Sequence, residues 1–209
     1  MKKISAAVAI IVLLSLLSGC LFPSLHPIFT DKDLVFNKTL LGNWIDPKNN
    51  DRVLFENVSS KDLEELAPVF KKRADKIYML TNKDARGNIK SRYYGFLVKL
   101  GNKYYLDYYP SETEKKKNYD EFFTQHFVKM HLFYNIQFTG NGSFELKQFD
   151  KGFLEELIKN KQIRIKHEIM DDGTYFITAS TEELQQYILK YSDVPKAYEE
   201  DTITYSKIN

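Results

Sequence analysis

From Leu40 onward the dominant spacing of apolar residues is two, interrupted at short intervals by Gly, Asn and Asp, which is the pattern of antiparallel strands joined by tight turns. Residues 89–100 and 103–109 flank Gly101-Asn102, a two-residue connection whose positions both tolerate positive φ. Residues 127–138 and 143–149 are joined across Thr139-Gly140-Asn141-Gly142, and residues 162–169 and 174–179 across Met170-Asp171-Asp172-Gly173, so three hairpins are expected. Shorter strands are expected at 41–45, 52–57, 77–82 and 202–207.

Two segments leave this period. After Asp150, the residues Phe153, Leu154, Leu157 and Ile158 fall on one helical face, and Ser180 with Glu183 forms a capping box ahead of the stripe Leu184, Ile188, Tyr191. Both are expected to be short helices laid on a sheet, the second followed by a closing strand. A further helix or ordered loop is expected near 62–70. About ten antiparallel strands must hide their edges, and a strongly curled sheet or a closed barrel does so at this size. The fold class expected is therefore mainly β.

The first twenty residues follow a different plan. Lys2 and Lys3 precede an apolar run from Ala6 to Leu17, then small Ser18 and Gly19, then Cys20, the only cysteine. This is the layout of an export signal, and the run is too short for a spanning helix. Leu17-Ser18-Gly19-Cys20 resembles the lipobox of bacterial lipoproteins. That resemblance implies cleavage between Gly19 and Cys20, acylation of Cys20 and attachment to a membrane of the cell envelope through the acyl chains. With Leu21 rather than aspartate next, it also resembles lipoproteins forwarded to the outer membrane. The expected organisation is a leader at 1–19, a lipid-anchored tether at 20–38 holding Pro23 and Pro27, and one β domain at 39–209.

Charge narrows the partners. The chain has 30 Lys and Arg against 28 Asp and Glu, and loss of Lys2 and Lys3 with the leader leaves 28 against 28. A neutral body does not have the basic excess that nucleic acid binding requires. The 15 Phe and 14 Tyr supply ample core.

Gly42-Asn43-Trp44 at the first strand resembles the G-x-W of lipocalins, whose tryptophan plugs one end of an eight-stranded barrel, and the final helix and strand are similar to the end of that family. The absence of a disulfide pair and the helix near Phe153 depart from its pattern. The resemblance implies a structural role for Gly42 and Trp44 and an interior that holds a small apolar or amphipathic ligand. The run from Ser24 to Trp44 also resembles the entry of bacterial lipoproteins to which no activity is assigned.

No Walker-type loop, nucleophile elbow, paired C-x-x-C or dinucleotide fingerprint occurs, so neither a cofactor nor a known catalytic motif is expected. His126 and His131, five residues apart, fall on opposite faces of a strand and about 140° apart on a helix, so they do not share a metal. His167-Glu168 lies in an alternating strand pattern, not on the helix a zinc protease needs. By strand parity His126 and His167 are expected on inward apolar faces, together with Tyr94, Tyr104 and Tyr108, as polar contacts inside a cavity. Tyr93, Tyr105 and Tyr109, on the other face, are expected under the chain's own helices or against an envelope protein partner. The function expected is a binding module, with an accessory subunit of an envelope complex or a motif-free envelope hydrolase as the alternatives.

Overall fold

The computed structural model describes residues 23–66, 68–111, 122, 126–140 and 142–208. The leader and Cys20 lie outside them. Eight strands close into an antiparallel barrel: β1 (Gly42–Ile45), β2 (Arg52–Asn57), β3 (Ile77–Lys83), β4 (Ile89–Leu100), β5 (Lys103–Pro110), β6 (Leu132–Phe138) and β7 (Ser143–Phe149) pair in chain order. β10 (Tyr198–Ile208) then inserts between β7 and β1 to complete the ring. Closure leaves no strand edge to cover. The remaining strands, β8 (His167–Ile169) and β9 (Tyr175–Ile177), form a separate two-stranded sheet.

Four short helices lie among the described residues: α1 (Ser60–Glu65), α2 (Pro68–Lys71), α3 (Lys151–Lys159) and α4 (Thr181–Tyr191). Their starts are written locally. Ser59 with Asp62, and Ser180 with Glu183, form reciprocal capping boxes, and the carboxylate of Asp150 accepts from the Phe153 amide. None is long and apolar enough to cross a membrane.

The barrel wall carries an apolar layer on each side. Inside, Trp44, Phe55, Leu80, Leu97, Leu106 and Phe144 interdigitate. Outside, Phe96, Val98, Tyr105 and Phe149 meet Leu184 and Ile188 of α4 and the amino-terminal segment. This double coverage explains why β4 is buried continuously over residues 94–98 rather than at alternate positions.

The stretch expected to be a tether is instead part of the body from Pro23 onward. Ile28, Phe29 and Leu34 are buried, Ser24 pairs with both His131 and Ile177, and Leu34 bridges Val98. Phe29 stacks on Phe96 with ring centroids 4.6 Å apart. Its apolar residues cover the outer layer that the short helices leave bare.

Two strands differ from expectation. β6 begins at Leu132 rather than 127, because its neighbour β5 ends at Pro110, which has no amide hydrogen to continue the ladder, and His131 pairs with Ser24 instead. The third hairpin keeps only three residues per strand and stands outside the barrel.

Candidate functional site

One end of the barrel is plugged and the other is not. At the plugged end the Trp44 indole Nε1 donates to the Leu40 carbonyl at 2.7 Å, its ring meets Phe144 edge-on, and Lys207 Nζ lies 5.2 Å from its centroid. Lys207 also donates to the Thr39 carbonyl, tying β10 to the turn of residues 38–40. Gly42 sits at φ +116°, a conformation that glycine adopts freely, beneath the Lys207 stem. Nearby, the Tyr78 hydroxyl accepts from the Asn37 amide and donates to the Asn37 carbonyl while Phe36 stacks on its ring.

At the opposite end a cavity of about 240 Å³ opens, bounded by Tyr93, Tyr108, Tyr134 and Tyr205 with Asn82 and aliphatic Leu132, Leu146 and Ile203. Strand geometry brings these together: Tyr108 pairs with Leu132 across β5 and β6, and Tyr93 and Tyr134 come from the two flanking registers. Tyr108 is the hub, edge-on to Tyr93 at 5.8 Å and to Tyr134 at 5.6 Å. Burial first, and then the neighbouring hydroxyls of Tyr205, Tyr134 and Tyr93, hold the Tyr108 phenol well above its ordinary range. Burial likewise pushes Tyr134 and Tyr205 up to about 12, with Asp46 and Asp51 adding to the effect at Tyr205. The mouth therefore presents aromatic walls and neutral hydroxyls, which can donate or accept, beside one amide.

The expected site residues scatter over the molecule. Tyr104 and Tyr108 do face inward, but Tyr104 borders a different cavity at the plugged end, with Phe36 and Phe138. Tyr94 lies on the outer face, where its hydroxyl donates to the Asp62 carbonyl of α1 at 3.3 Å. The hairpin register accounts for this: Leu100 opposite Lys103 places Tyr94 opposite Tyr109, not on the face of Tyr104 and Tyr108. His126 is exposed ahead of β6, with its ring 5.3 Å from Phe122, because the strand it was assigned to starts six residues later. His167 is half-buried in the outer hairpin, bonded through Nδ1 to the Ile165 carbonyl and stacked on Tyr175. Gly19 and Cys20 lie outside the described residues.

The polar pair that parity missed is Asp107 with His131. Both are buried under the amino-terminal segment; His131 Nδ1 lies 2.8 Å from one Asp107 oxygen, and the other oxygen accepts from the Ile28 amide at 3.2 Å. A carboxylate within an otherwise apolar strand, Leu106-Asp107-Tyr108, was the available signal. Through these contacts the pair fastens the amino-terminal segment to β5. Among the described residues no three His, Cys, Asp or Glu side chains gather as metal ligands.

Of Tyr93, Tyr105 and Tyr109, which suggested a docking face, Tyr93 instead faces the interior at the mouth, because it alternates with outward Tyr94 on β4, and the other two are covered by the chain itself. Tyr105 packs with Phe149 beneath α4, and Tyr109 packs against Phe70 and His131. No protein-family model matches this chain, and comparison with curated proteins and with solved structures finds no match.

Proposed function

We propose that this chain is a lipid-anchored lipoprotein of the bacterial cell envelope, held by acyl chains on Cys20, whose lipocalin-like barrel is a non-enzymatic binding module for a small amphipathic ligand. The observation that carries the reading is the tyrosine-lined mouth opposite the Trp44 plug. The anchor is supported by the leader and by Leu17-Ser18-Gly19-Cys20. The lipocalin likeness is supported by Gly42-Asn43-Trp44, by closure of eight strands and by the final helix and strand.

The middle of the barrel is filled by side chains, so the ligand is confined to the mouth. At about 240 Å³ the mouth is smaller than the roughly 300–1,000 Å³ of drug-sized sites, which restricts the occupant to about one substituted ring or a short chain. Aromatic faces take the apolar part, and the phenols with Asn82 take a hydroxyl, amine or amide.

The test is titration of the full chain with 4-methylphenol, followed by amide chemical shifts. Shifts confined to the mouth residues of β3, β4, β5, β6, β7 and β10, abolished by Ile203→Trp, are the expected outcome. An unaltered titration in Ile203→Trp, whose indole fills the mouth, removes the reading.

A further inference from the structure

Five large apolar side chains on segments that share one backbone junction stand 40 to 60% exposed: Leu25, Phe127, Val128, Ile169 and Met170. Their chain segments meet at one point. Ser24 and His131 exchange backbone hydrogen bonds at 3.0 and 2.8 Å, while the Leu25 amide donates to the Ile177 carbonyl and the Ile177 amide to the Pro23 carbonyl. Phe127 and Val128 lead into His131, and Ile169 pairs with Tyr175, two residues from Ile177. Scattered exposed apolar residues are ordinary, but a group gathered at a single backbone junction is a candidate interaction surface.

What covers it follows from where the chain leaves the junction. Only Leu21 and Phe22 separate Cys20 from Pro23, and three residue steps reach at most about 10 Å. Pro23 itself is tied to Ile177, and Ser24 to His131. A sulfur carrying acyl chains can therefore lie no farther than this from Pro23, at the junction where the segments bearing the apolar group meet. We propose that this group, formed by Leu25, Phe127, Val128, Ile169 and Met170, seats in the headgroup and acyl boundary of the bilayer that holds the Cys20 lipid. The inference rests on the lipid-anchor reading of the leader.

Asp171 and Asp172 at the tip of the β8–β9 hairpin, next to Met170, set a limit on depth. Asp172 is exposed, and its carboxylate is held below the usual range by the Thr174 amide and hydroxyl. Two carboxylates stay in headgroup water, so the seat is interfacial and does not reach the acyl core. Seating also fixes orientation. The barrel lies against the membrane by its outer hairpin; Tyr108 pairs with Leu132, next to His131 of the junction, and the β4–β5 turn at Asn102, six residues along the chain from Tyr108, stands about 20 Å from that pair.

The test uses the full chain produced with its leader in a lipoprotein-acylating host, carrying Val128→Cys or, as control, Asn102→Cys. Each introduced thiol is labelled with an environment-sensitive fluorophore, and the protein is reconstituted into phosphatidylethanolamine–phosphatidylglycerol vesicles containing a shallow brominated lipid. The expected result is quenching at 128 at least about threefold stronger than at 102, with a blue shift at 128 alone. Equal, weak quenching at both positions in a chain whose intact mass includes acyl groups overturns the seating and leaves the anchor standing. A mass without acyl groups overturns the anchor, and the seating with it. Both substituted positions are exposed, so the fold is undisturbed.

Discussion

A missing side chain shapes the packed interior of the barrel as much as the side chains do. Gly95 lies on β4 opposite Tyr78 and Tyr108, and a Cβ added there would come within 2.6 Å of Leu80 Cδ1 and 2.9 Å of its Cγ. Leu80 is fully buried, so it has no free direction in which to yield. Its backbone conformation is ordinary, and the constraint is volume alone. Gly95→Ala is expected to cost about 1–3 kcal/mol by overpacking, read as a lower denaturant midpoint at unchanged slope. Paired with Leu80→Ala, the substitution should recover part of that cost, since the added methyl then occupies space the leucine leaves. A Gly95→Ala cost as large in the Leu80→Ala background as in the parent would place the strain elsewhere.

Among the elements, those that depend on local chemistry were legible in the sequence, and those that depend on a distant neighbour were not. α3 and α4 begin at their capping residues, and β2, β4 and β7 run as the alternation and turns dictate. β6 was read too long because only the end of β5 stops it, and Asp107 was overlooked because its partners, His131 and Ile28, are far along the chain. The amino-terminal segment was read as a tether from its prolines, yet its apolar residues pair with surface that folding creates. The mouth was half legible: the alternation puts Tyr108 and Tyr134 on inward faces, Tyr93 was assigned to the outer face, and Tyr205 joins them only through closure by β10. The clasp of this segment can be measured directly. Asp107→Ala strands the Ile28 amide and the His131 ring nitrogen, at about 1–3 kcal/mol for each buried donor left unpaired. Hydrogen exchange is expected to accelerate most at Ile28, Ser24 and Val35. Equal acceleration throughout β4 would mean that Asp107 supports the whole barrel instead of this segment.

For the molecule as a whole, the inward tyrosines couple the barrel to alkaline pH. Burial raises the phenols of Tyr78, Tyr134 and Tyr205 from 10 to about 12, and that of Tyr108 further in the same direction. A raised native pKa means that, between about 10 and 12, the folded chain holds protons that the unfolded chain has released, so stability falls as pH rises through that window. Below pH 10 both states are protonated at these groups and their contribution is fully present. The denaturation midpoint is therefore expected to decline between pH 10 and 12. Over the same range, tyrosinate absorbance of the folded chain should fall short of the 14 tyrosines that titrate near pH 10 in denaturant. The mouth makes the effect ligand-dependent. A neutral occupant in contact with Tyr108 and Tyr134 binds the protonated form, so it should delay their ionisation further and lose affinity over that interval. Ionisation of Tyr108, Tyr134 and Tyr205 at pH 10 in the native chain would show that the mouth is open to water and offers no dry aromatic surface to a ligand.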